Sequence, residues 1–223
     1  MSQGNKDYLL KYNPEISSKK VGIFPNSIFI EEIDGISFNK DKTVFMFGGN
    51  LGKPQNISGL LKIMKKLKKF SKAEFLIVGK GTEEKKIIDF INQEKPSNVV
   101  YKSFIPQKEY EQILKFIDVG VISLDPRFTI PNIPSRLQGY LKLKKPVLAI
   151  TDTNTDLKEM ILENDCGWWC DASNEDKIIE IIKDICENKE KQIKKGLNGF
   201  EYLKQEFDVE KNVDILEKFM NRN

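Results

Sequence analysis

From residue 43 onward, the chain alternates short, mainly apolar runs with longer segments in which apolar residues recur every three or four positions. The segment 58–70 shows the helical repeat, with Leu60, Ile63 and Leu67 on one side and lysines elsewhere. The runs rich in β-branched and aromatic residues are 43–48, 74–79, 98–102, 118–124, 146–150 and 166–170. Strands that are apolar on both faces and separated by helices are typical of a parallel sheet covered on both sides. The pattern therefore predicts an α/β fold, a Rossmann-like doubly wound sheet of about six strands with helices on both faces.

The two ends of the chain differ from this repeating body. Residues 2–12 have the pattern of a helix capped by Ser2 and ended by Asn13-Pro14. The next apolar residues predict a short strand that stops at Pro25-Asn26, and this leading part is too poor in apolar residues to fold alone. Residues 200–221 predict a last helix. Its apolar residues available for docking are Phe200, Leu203, Phe207, Val213, Leu216 and Phe219.

Composition excludes several classes of function. The 36 Lys and Arg against 33 Asp and Glu leave a net charge of only +3, which provides no basic surface for nucleic acid. The absence of histidine excludes histidine-based acid–base catalysis and the commonest metal ligand. The three cysteines form no CxxC pair, which argues against a disulfide framework or a zinc knuckle. No apolar run approaches the roughly 18 residues of a membrane span, and the N-terminus lacks a signal pattern. We therefore expect a cytoplasmic protein.

The loop after the first predicted strand, GGNLGKPQN, places Gly48, Gly49 and Gly52 around Asn50 just before a helix. Glycines allow backbone N–H groups to approach an anion closely, and a helix N-terminus favours negative charge. A diphosphate is the natural ligand of such a loop. A tight turn without a ligand explains the same glycines equally well.

The loop after the second strand contains Gly79, Lys80 and Gly81. A structural use of these glycines is favoured over contact with a cofactor. The third glycine of a dinucleotide-binding fingerprint is missing, which disfavours an NAD site.

The segment after the fourth strand, DPRFTIPNIPSRLQGY, is the most unusual in the chain. Its three prolines fix an irregular loop, after which Ser135 can cap a helix that carries Arg136 in its first turn. Cations are favoured at the C-termini of helices, so an arginine in a first turn indicates that an anion is expected nearby. The alternative is that Arg136 pairs with a local carboxylate such as Asp125.

After the fifth strand, the segment TDTNTDL places Asp152, Asn154, Thr155 and Asp156 at the same edge of the predicted sheet. Carboxylates and amides there could hold the hydroxyls of a sugar. An ordinary helix cap by Thr155 or Asn154 explains most of this composition as well.

Taken in order, GGNLGKPQN, FLIVGKG, NVVYKSFIP, IDVGVISLDP and PSRLQGYLKLKKPVLAITD resemble the C-terminal, donor-binding half of a GT-B glycosyltransferase. The resemblance covers about residues 20–200. It is greatest to the retaining group that builds bacterial capsule and O-antigen polysaccharides from nucleotide sugars.

The resemblance implies roles for particular residues. The donor diphosphate would contact Gly49, Asn50, Leu51, Lys53, Gln55, Ser135 and Arg136. The nucleobase and ribose would contact Gly79, Lys80, Phe104, Ile105 and Gln138. The donor sugar would contact Asn132, Asp152, Asn154, Thr155 and Asp156. No catalytic base is named, because that group is expected on the other half of such enzymes.

The sequence also departs from the family pattern. Asn50 and Gln55 stand where relatives commonly carry arginine and lysine, and Arg136 and Lys53 would then supply the positive charge. Two positions where many relatives carry glutamates are here Pro131 and Gly139. Asn132 or Gln138 would supply the hydrogen bonds that those glutamates make.

The resemblance further implies a domain organisation. Residues 1–20 would be a remnant helix of the absent N-terminal acceptor domain, 21–42 the interdomain link, 43–199 the nucleotide-sugar-binding domain and 200–223 a C-terminal docking helix. The resemblance also implies a reaction that needs no metal ion, and nothing in the sequence is similar to a DxD metal site, which fits. The expected partners are a nucleotide sugar as donor, the N-terminal domain, and an acceptor glycan or lipid-linked glycan.

Three further expectations concern the chain as a whole. It would be inactive alone, because GT-B chemistry takes place between two domains. It could self-associate through surfaces that dock on the other domain, and the full-length enzyme could contact the membrane peripherally. A non-catalytic α/β module that binds a partner in a polysaccharide assembly complex remains the alternative function, whereas a flavodoxin-like domain is disfavoured.

Overall fold

The computed structural model describes residues 2–16, 21–31, 33 and 41–221. Six parallel strands form one sheet in the order β3-β2-β1-β4-β5-β6. Their bounds are β1 (Thr43–Asn50), β2 (Ala73–Lys80), β3 (Val99–Lys102), β4 (Val119–Ser123), β5 (Val147–Thr151) and β6 (Gly167–Asp171). The predicted Rossmann-like fold and all six predicted strands are confirmed. The strand order reverses between β1 and β4, and in such sheets the crevice beyond this point is the usual place for a ligand.

Helices cover both faces of the sheet. They are α1 (Gln3–Tyr12), α2 (Ile57–Lys66), α3 (Glu84–Glu94), α4 (Gln107–Phe116), α5 (Arg136–Lys142), α6 (Leu157–Glu163), α7 (Glu175–Glu187), α8 (Lys189–Glu206) and α9 (Val209–Met220). The core beneath α2, α3 and α7 contains Phe45 and Phe47 of β1, whereas Met46 joins the core beneath α4, α5, α6 and α8. Successive side chains of a strand point to opposite faces, so β1 contributes to both layers of the core.

Helix α1 begins as the sequence predicts. The Ser2 hydroxyl accepts a hydrogen bond from the Asn5 N–H (3.3 Å), and the Asn5 side chain accepts one from the Ser2 N–H (3.1 Å). The N-terminus of the helix is fastened to the domain, because the Gly4 N–H donates to Asp156 Oδ2 (3.0 Å) and the Asn5 amide donates to the Pro131 carbonyl (2.6 Å).

Two predictions about the ends of the chain are wrong. Residues 21–31 form no strand before Pro25, and their β-type pairing among the described residues is an isolated bridge between Ile28 and Asp208. The predicted single helix over 200–221 is two helices, since α8 ends at Glu206 and α9 begins at Val209. Phe207 turns into the core between them, and the Asp208 side chain caps α9 by accepting from the Glu210 N–H (3.1 Å).

The docking residues predicted for the chain end divide in the same way. Phe200, Leu203 and Phe207 are buried in the domain's own core, whereas Val213 and Leu216 of α9 stay exposed. The predicted link includes 32 and 34–40, and the predicted remnant segment includes 1 and 17–20, which lie outside the described residues. None of the described helices is both long and apolar enough to cross a membrane.

A buried group of charges lies at the amino edge of the sheet. Asp118, directly before β4, is fully buried and accepts a hydrogen bond from the Val44 N–H (2.7 Å), while Lys189 Nζ lies 3.7 Å from the same carboxylate oxygen. Lys145, two residues before β5, is also fully buried. Burial lowers the pKa of Lys145 to about 8, against the opposing effect of the Asp118 charge.

Candidate functional site

A cleft of about 670 Å³ opens at the carboxyl edge of the sheet, where the strand order reverses between β1 and β4. Its walls come from the end of β1, from α4, and from the loop that leads into α5. The lining residues include Gly48, Gly49, Asn50, Gln55, Gln107, Tyr110, Glu111, Leu114, Asn132, Ser135, Arg136 and Gly139. The fold therefore brings the two predicted anion-binding segments to one cavity.

Gly49 and Arg136 face each other across this cleft. Gly49 has a φ of 109°, and a Cβ placed on it would lie 3.7 Å from Arg136 Nη2. The neighbouring strand reinforces the need for small residues here, because a Cβ on Gly79 would overlap the Gly49 carbonyl oxygen. A bare backbone at the end of β1 thus lies beside a guanidinium group, which is a suitable arrangement for a phosphate.

Arg136 carries a charge that the described residues do not neutralise. Its guanidinium lies over the Phe47 ring, with Cζ 4.4 Å from the centroid, and burial lowers the pKa of Arg136. Its Nη1 atom is buried and has no hydrogen-bond partner among the described residues. An unpaired buried cation is costly, so an anion in the cleft would be stabilised strongly.

The alternative pairing of Arg136 with Asp125 is wrong. Asp125 instead binds Arg127 through two bonds, from Nε to Oδ1 (2.9 Å) and from Nη2 to Oδ2 (2.7 Å). Arg127 follows Asp125 by two residues in an exposed turn, so its side chain can pair with the carboxylate while it stays exposed to solvent. This local pairing leaves Arg136 available to a ligand.

Two tyrosines, which the sequence analysis did not identify, fix the end of β1 against the cleft. The Tyr140 hydroxyl donates to the Met46 carbonyl (3.0 Å) and accepts from the Gly48 N–H (3.2 Å). The Tyr110 hydroxyl lies so close to Gly48 that a Cβ there would overlap it. Burial raises the pKa of both tyrosines, so both hydroxyls are neutral near pH 7.

Ser135 occupies the position before α5 but does not cap it. Its backbone is helical (φ −58°, ψ −21°), and its side chain makes no capping hydrogen bond. A serine cap needs an extended backbone at that residue, and the turn here already starts at Pro134, whose carbonyl accepts from the Leu137 N–H (3.0 Å). The predicted cap is therefore wrong, although Ser135 lines the cleft.

A second cavity of about 550 Å³ adjoins the first and shares Gly49, Asn50, Gln107 and Tyr110 with it. Its other lining residues are Val78, Gly79, Lys80, Phe104 and Ile105. Four of the five residues predicted to hold the nucleobase and ribose thus lie together. The ring of Phe104 is 75% exposed at the mouth of this cavity.

Three residues predicted to contact the diphosphate, the nucleobase or the ribose line neither cavity, and Gln55 lines the cleft. Gln138 is buried, lines neither cavity, and donates its amide to the Asn26 carbonyl, because its position on α5 points it toward the 21–31 segment. Leu51 is buried in the core, and Lys53 is exposed in the 3₁₀ turn Lys53–Gln55 and lines neither cavity. Gln55 lines the cleft, and its buried Oε1 has no hydrogen-bond partner among the described residues.

Of the residues predicted to hold the donor sugar, only Asn132 lines the cleft. The others are engaged in local turns: Asp152 accepts from the Asn154 N–H, and the Thr155 hydroxyl accepts from the Leu157 N–H (3.0 Å). Asp156 accepts from α1 through Gly4 (3.0 Å). The turn-forming alternative thus accounts for the contacts of Asp152 and Thr155, and sugar contact by Asp152, Asn154, Thr155 and Asp156 stays a prediction.

Among residues 2–16, 21–31, 33 and 41–221, no three His, Cys, Asp or Glu side chains come together in a way that could hold a metal ion. Among these described residues, Arg136 is the cationic side chain that lines the cleft and could bind an anion there.

Comparisons with known proteins agree with this geometry. Residues 29–201 match the family described as glycosyl transferases group 1. The probable glycosyltransferase WbjE of Pseudomonas aeruginosa is 27% identical over 148 residues, which are 66% of this chain and 37% of WbjE.

Solved structures share the fold at low identity. TarM of S. aureus, solved with fondaparinux, α-GlcNAc-glycerol and UDP, superimposes with a TM-score of 0.79 at 16% identity, covering 99% of this chain and 43% of TarM. HepE of Anabaena, solved with UDP-glucose, gives a TM-score of 0.66 at 14% identity, covering 100% of this chain and 54% of HepE. The chain thus spans about half the length of these proteins or less.

Proposed function

The chain belongs to the glycosyl transferases group 1 family, and on that premise we propose that it is the donor-binding half of a glycosyltransferase. Its donor is a nucleoside-diphosphate sugar. Its product is a growing surface polysaccharide or a lipid-linked oligosaccharide, made at the cytoplasmic face of the membrane. WbjE, TarM and HepE support the class of reaction, and the two solved relatives contain UDP or UDP-glucose.

The observation that carries the proposal is the half-buried guanidinium of Arg136 opposite Gly49, whose buried Nη1 atom has no partner among the described residues. When the bond between the sugar and the diphosphate breaks, negative charge develops on the departing diphosphate. A fixed cation in a site partly shielded from water stabilises that charge more than the charge of the ground state. Arg136 would therefore both bind the donor and promote departure of the diphosphate, and no metal ion is required in this proposal.

The second cavity gives the nucleoside a place next to the diphosphate. Its apolar wall includes Val78, Phe104 and Ile105, on which a base can stack or pack. The loop that carries Phe104 is held by Glu84, which accepts from the hydroxyls of Tyr101 (2.7 Å) and Ser103 (3.0 Å). This bracing lowers the entropy that would be lost when the loop binds a base.

The remaining elements fit a two-domain enzyme. In this proposal α1 belongs to the other domain's last helix, 21–42 is the link, and the acceptor binds on the part of the relatives that this chain does not span. The residue that orients the acceptor would lie there too. We accordingly expect the isolated chain to bind donor without transferring sugar.

The test is calorimetry with UDP and GDP, comparing Arg136→Ala with Arg127→Ala. Removing a charged hydrogen-bonding partner of the diphosphate should weaken binding by about ten- to a hundredfold. Arg127 is the matched control, since it is exposed and already paired with Asp125, and its loss should change affinity less than about twofold. The proposal fails if no nucleoside diphosphate binds at millimolar concentration, or if both variants bind equally well.

A non-catalytic role in a polysaccharide assembly complex is the second candidate. Pro131 and Gly139 favour it, because neither offers a side chain that could hold a sugar hydroxyl. Isolation of a stoichiometric protein partner, together with no sugar transfer by the full-length protein, would support this role over the first.

A further inference from the structure

Helix α4 presents one carboxylate to the cleft. The residues that line it from this helix are Gln107, Tyr110, Glu111 and Leu114, spaced as one helical face. Glu111 is the one carboxylate among the described residues that line this cavity. Its negative charge stands in the same cleft as the guanidinium of Arg136, yet no ion pair joins Glu111 to Arg136 or to any other described lysine or arginine.

Glu111 is oriented by its neighbour on the preceding turn. The Gln107 amide donates to Glu111 Oε1 over 2.9 Å. Gln107 also lines the second cavity, so this pair stands where the two cavities join. The other carboxylate oxygen and the Gln107 carbonyl remain as acceptors for a ligand that extends through both cavities.

The facing wall offers little competition for such a ligand. Gly139 of α5 lines the cleft without a side chain, and a Cβ there would meet only Leu114 Cδ1, at 3.9 Å. The polar side chains that line the cleft from α5 and the loop before it are those of Asn132, Ser135 and Arg136, and none of them is a carboxylate. Hydroxyls at the junction of the cavities therefore have the Gln107–Glu111 pair as their charged acceptor.

We propose that Glu111, held by Gln107, accepts hydrogen bonds from the ribose hydroxyls of the donor nucleotide. This assignment rests on the proposed function. The ribose is the part of a nucleotide that joins base to diphosphate, and the residue pair occupies the junction between the apolar cavity and the arginine cleft. A carboxylate is a suitable receptor for a ribose diol because it offers two acceptor oxygens side by side.

The experiment compares UDP with 2′-deoxy-UDP, or the GDP pair if GDP binds more tightly, by calorimetry on the full chain. For the unaltered protein we expect the ribonucleotide to bind about tenfold more tightly. Glu111→Ala should remove most of that difference by weakening the ribonucleotide more than the deoxynucleotide, which keeps only its 3′-hydroxyl as a donor to Glu111. Glu109→Ala, on the same helix but outside the cleft, is the control and should preserve the full difference.

The outcomes separate this inference from the function it rests on. If UDP binds and Arg136→Ala weakens it, but Glu111→Ala affects both nucleotides equally or neither, the ribose assignment is overturned while the donor site stands. If no nucleoside diphosphate binds, both are overturned.

Gln107 acts as a positioning residue and has its own readout. Gln107→Ala should weaken the ribonucleotide by about two- to threefold and the deoxynucleotide by less, since Gln107 acts on the hydroxyls only by positioning Glu111. Equal weakening of the two nucleotides would show that Gln107 does not act through the hydroxyls.

Discussion

Lys145 is a buried cation and Arg136 a half-buried one beside the same sheet, but they lie at opposite edges and in opposite electrostatic surroundings. At the amino edge, Lys145 and Lys189 face the buried carboxylate of Asp118. At the carboxyl edge, Arg136 has Phe47, Tyr110 and Tyr140 as neighbours and no carboxylate partner among the described residues.

This difference distinguishes charged residues that stabilise the fold from charged residues that are available to bind a ligand. A buried cation that meets a buried anion within the fold serves mainly the stability and uniqueness of that fold. A buried cation left without an anion costs stability in the free protein, and the cost is offset only when a negatively charged ligand binds. The two edges can therefore be distinguished by how each responds to mutation, to pH and to nucleotide.

The largest effect is expected at the amino edge, from Asp118→Asn. The substitution removes the anion and leaves Lys145 and Lys189 without it, so the free energy of unfolding should fall by about 3–5 kcal/mol. Urea denaturation measures this change. Asp176→Asn, in an exposed pair with Lys66, is the control and should cost less than about 1 kcal/mol. If Asp118→Asn lowered the free energy of unfolding no more than the control, Asp118 would not be stabilising Lys145 and Lys189.

A smaller effect concerns pH. The folded-state pKa of Lys145, about 8, lies below its ordinary value of 10.5, so between these values the unfolded chain holds more protons than the folded one. Stability therefore rises with pH in this window, by about 1–2 kcal/mol between pH 8 and pH 9.5. Urea denaturation across this range should show the rise, and Lys145→Met should flatten it. A decrease over the window in the unaltered protein would contradict the expectation.

The smallest effect on stability is expected at the carboxyl edge. Arg136→Met keeps an apolar side chain over Phe47 while removing an unneutralised charge, so the free energy of unfolding should change by less than about 1 kcal/mol. In thermal denaturation, UDP should raise the Tm of the unaltered protein but not that of this variant. Destabilisation comparable to that of Asp118→Asn would show that the fold itself neutralises Arg136.

Local sequence patterns predicted much of this protein. The six strands, the cap at Ser2 and the meeting of the glycine loop with Arg136 follow from side-chain periodicity, from capping chemistry and from the rule that ligands bind at the carboxyl edge of a parallel sheet. Each of these depends on residues close in sequence or on a property common to the whole fold class.

The wrong predictions have a shared cause in long-range contacts. The helix predicted over 200–221 breaks because Phe207 packs into the core. The segment before Pro25 is not a strand because it lies against α9, with Gly22 beside the Phe219 ring, instead of pairing with a sheet edge. The Asp156 carboxylate likewise accepts from the N-terminus of α1, more than a hundred residues away, a contact that its place after β5 does not predict. None of these partners can be identified from spacing alone.

The sequence by itself thus determined the order of elements, the sheet, and which loops meet at its carboxyl edge, because the hydrophobic period of each segment specifies its structure. Only the tertiary structure decided which charges are neutralised. The sequence gives the sign of the charge on Arg136, Asp118 and Lys145. Whether each of them lies near an opposite charge depends on which distant residues the packed helices bring within a few ångströms. The availability of Arg136 for a ligand is a property of the folded protein, as is the position of Glu111 between the two cavities.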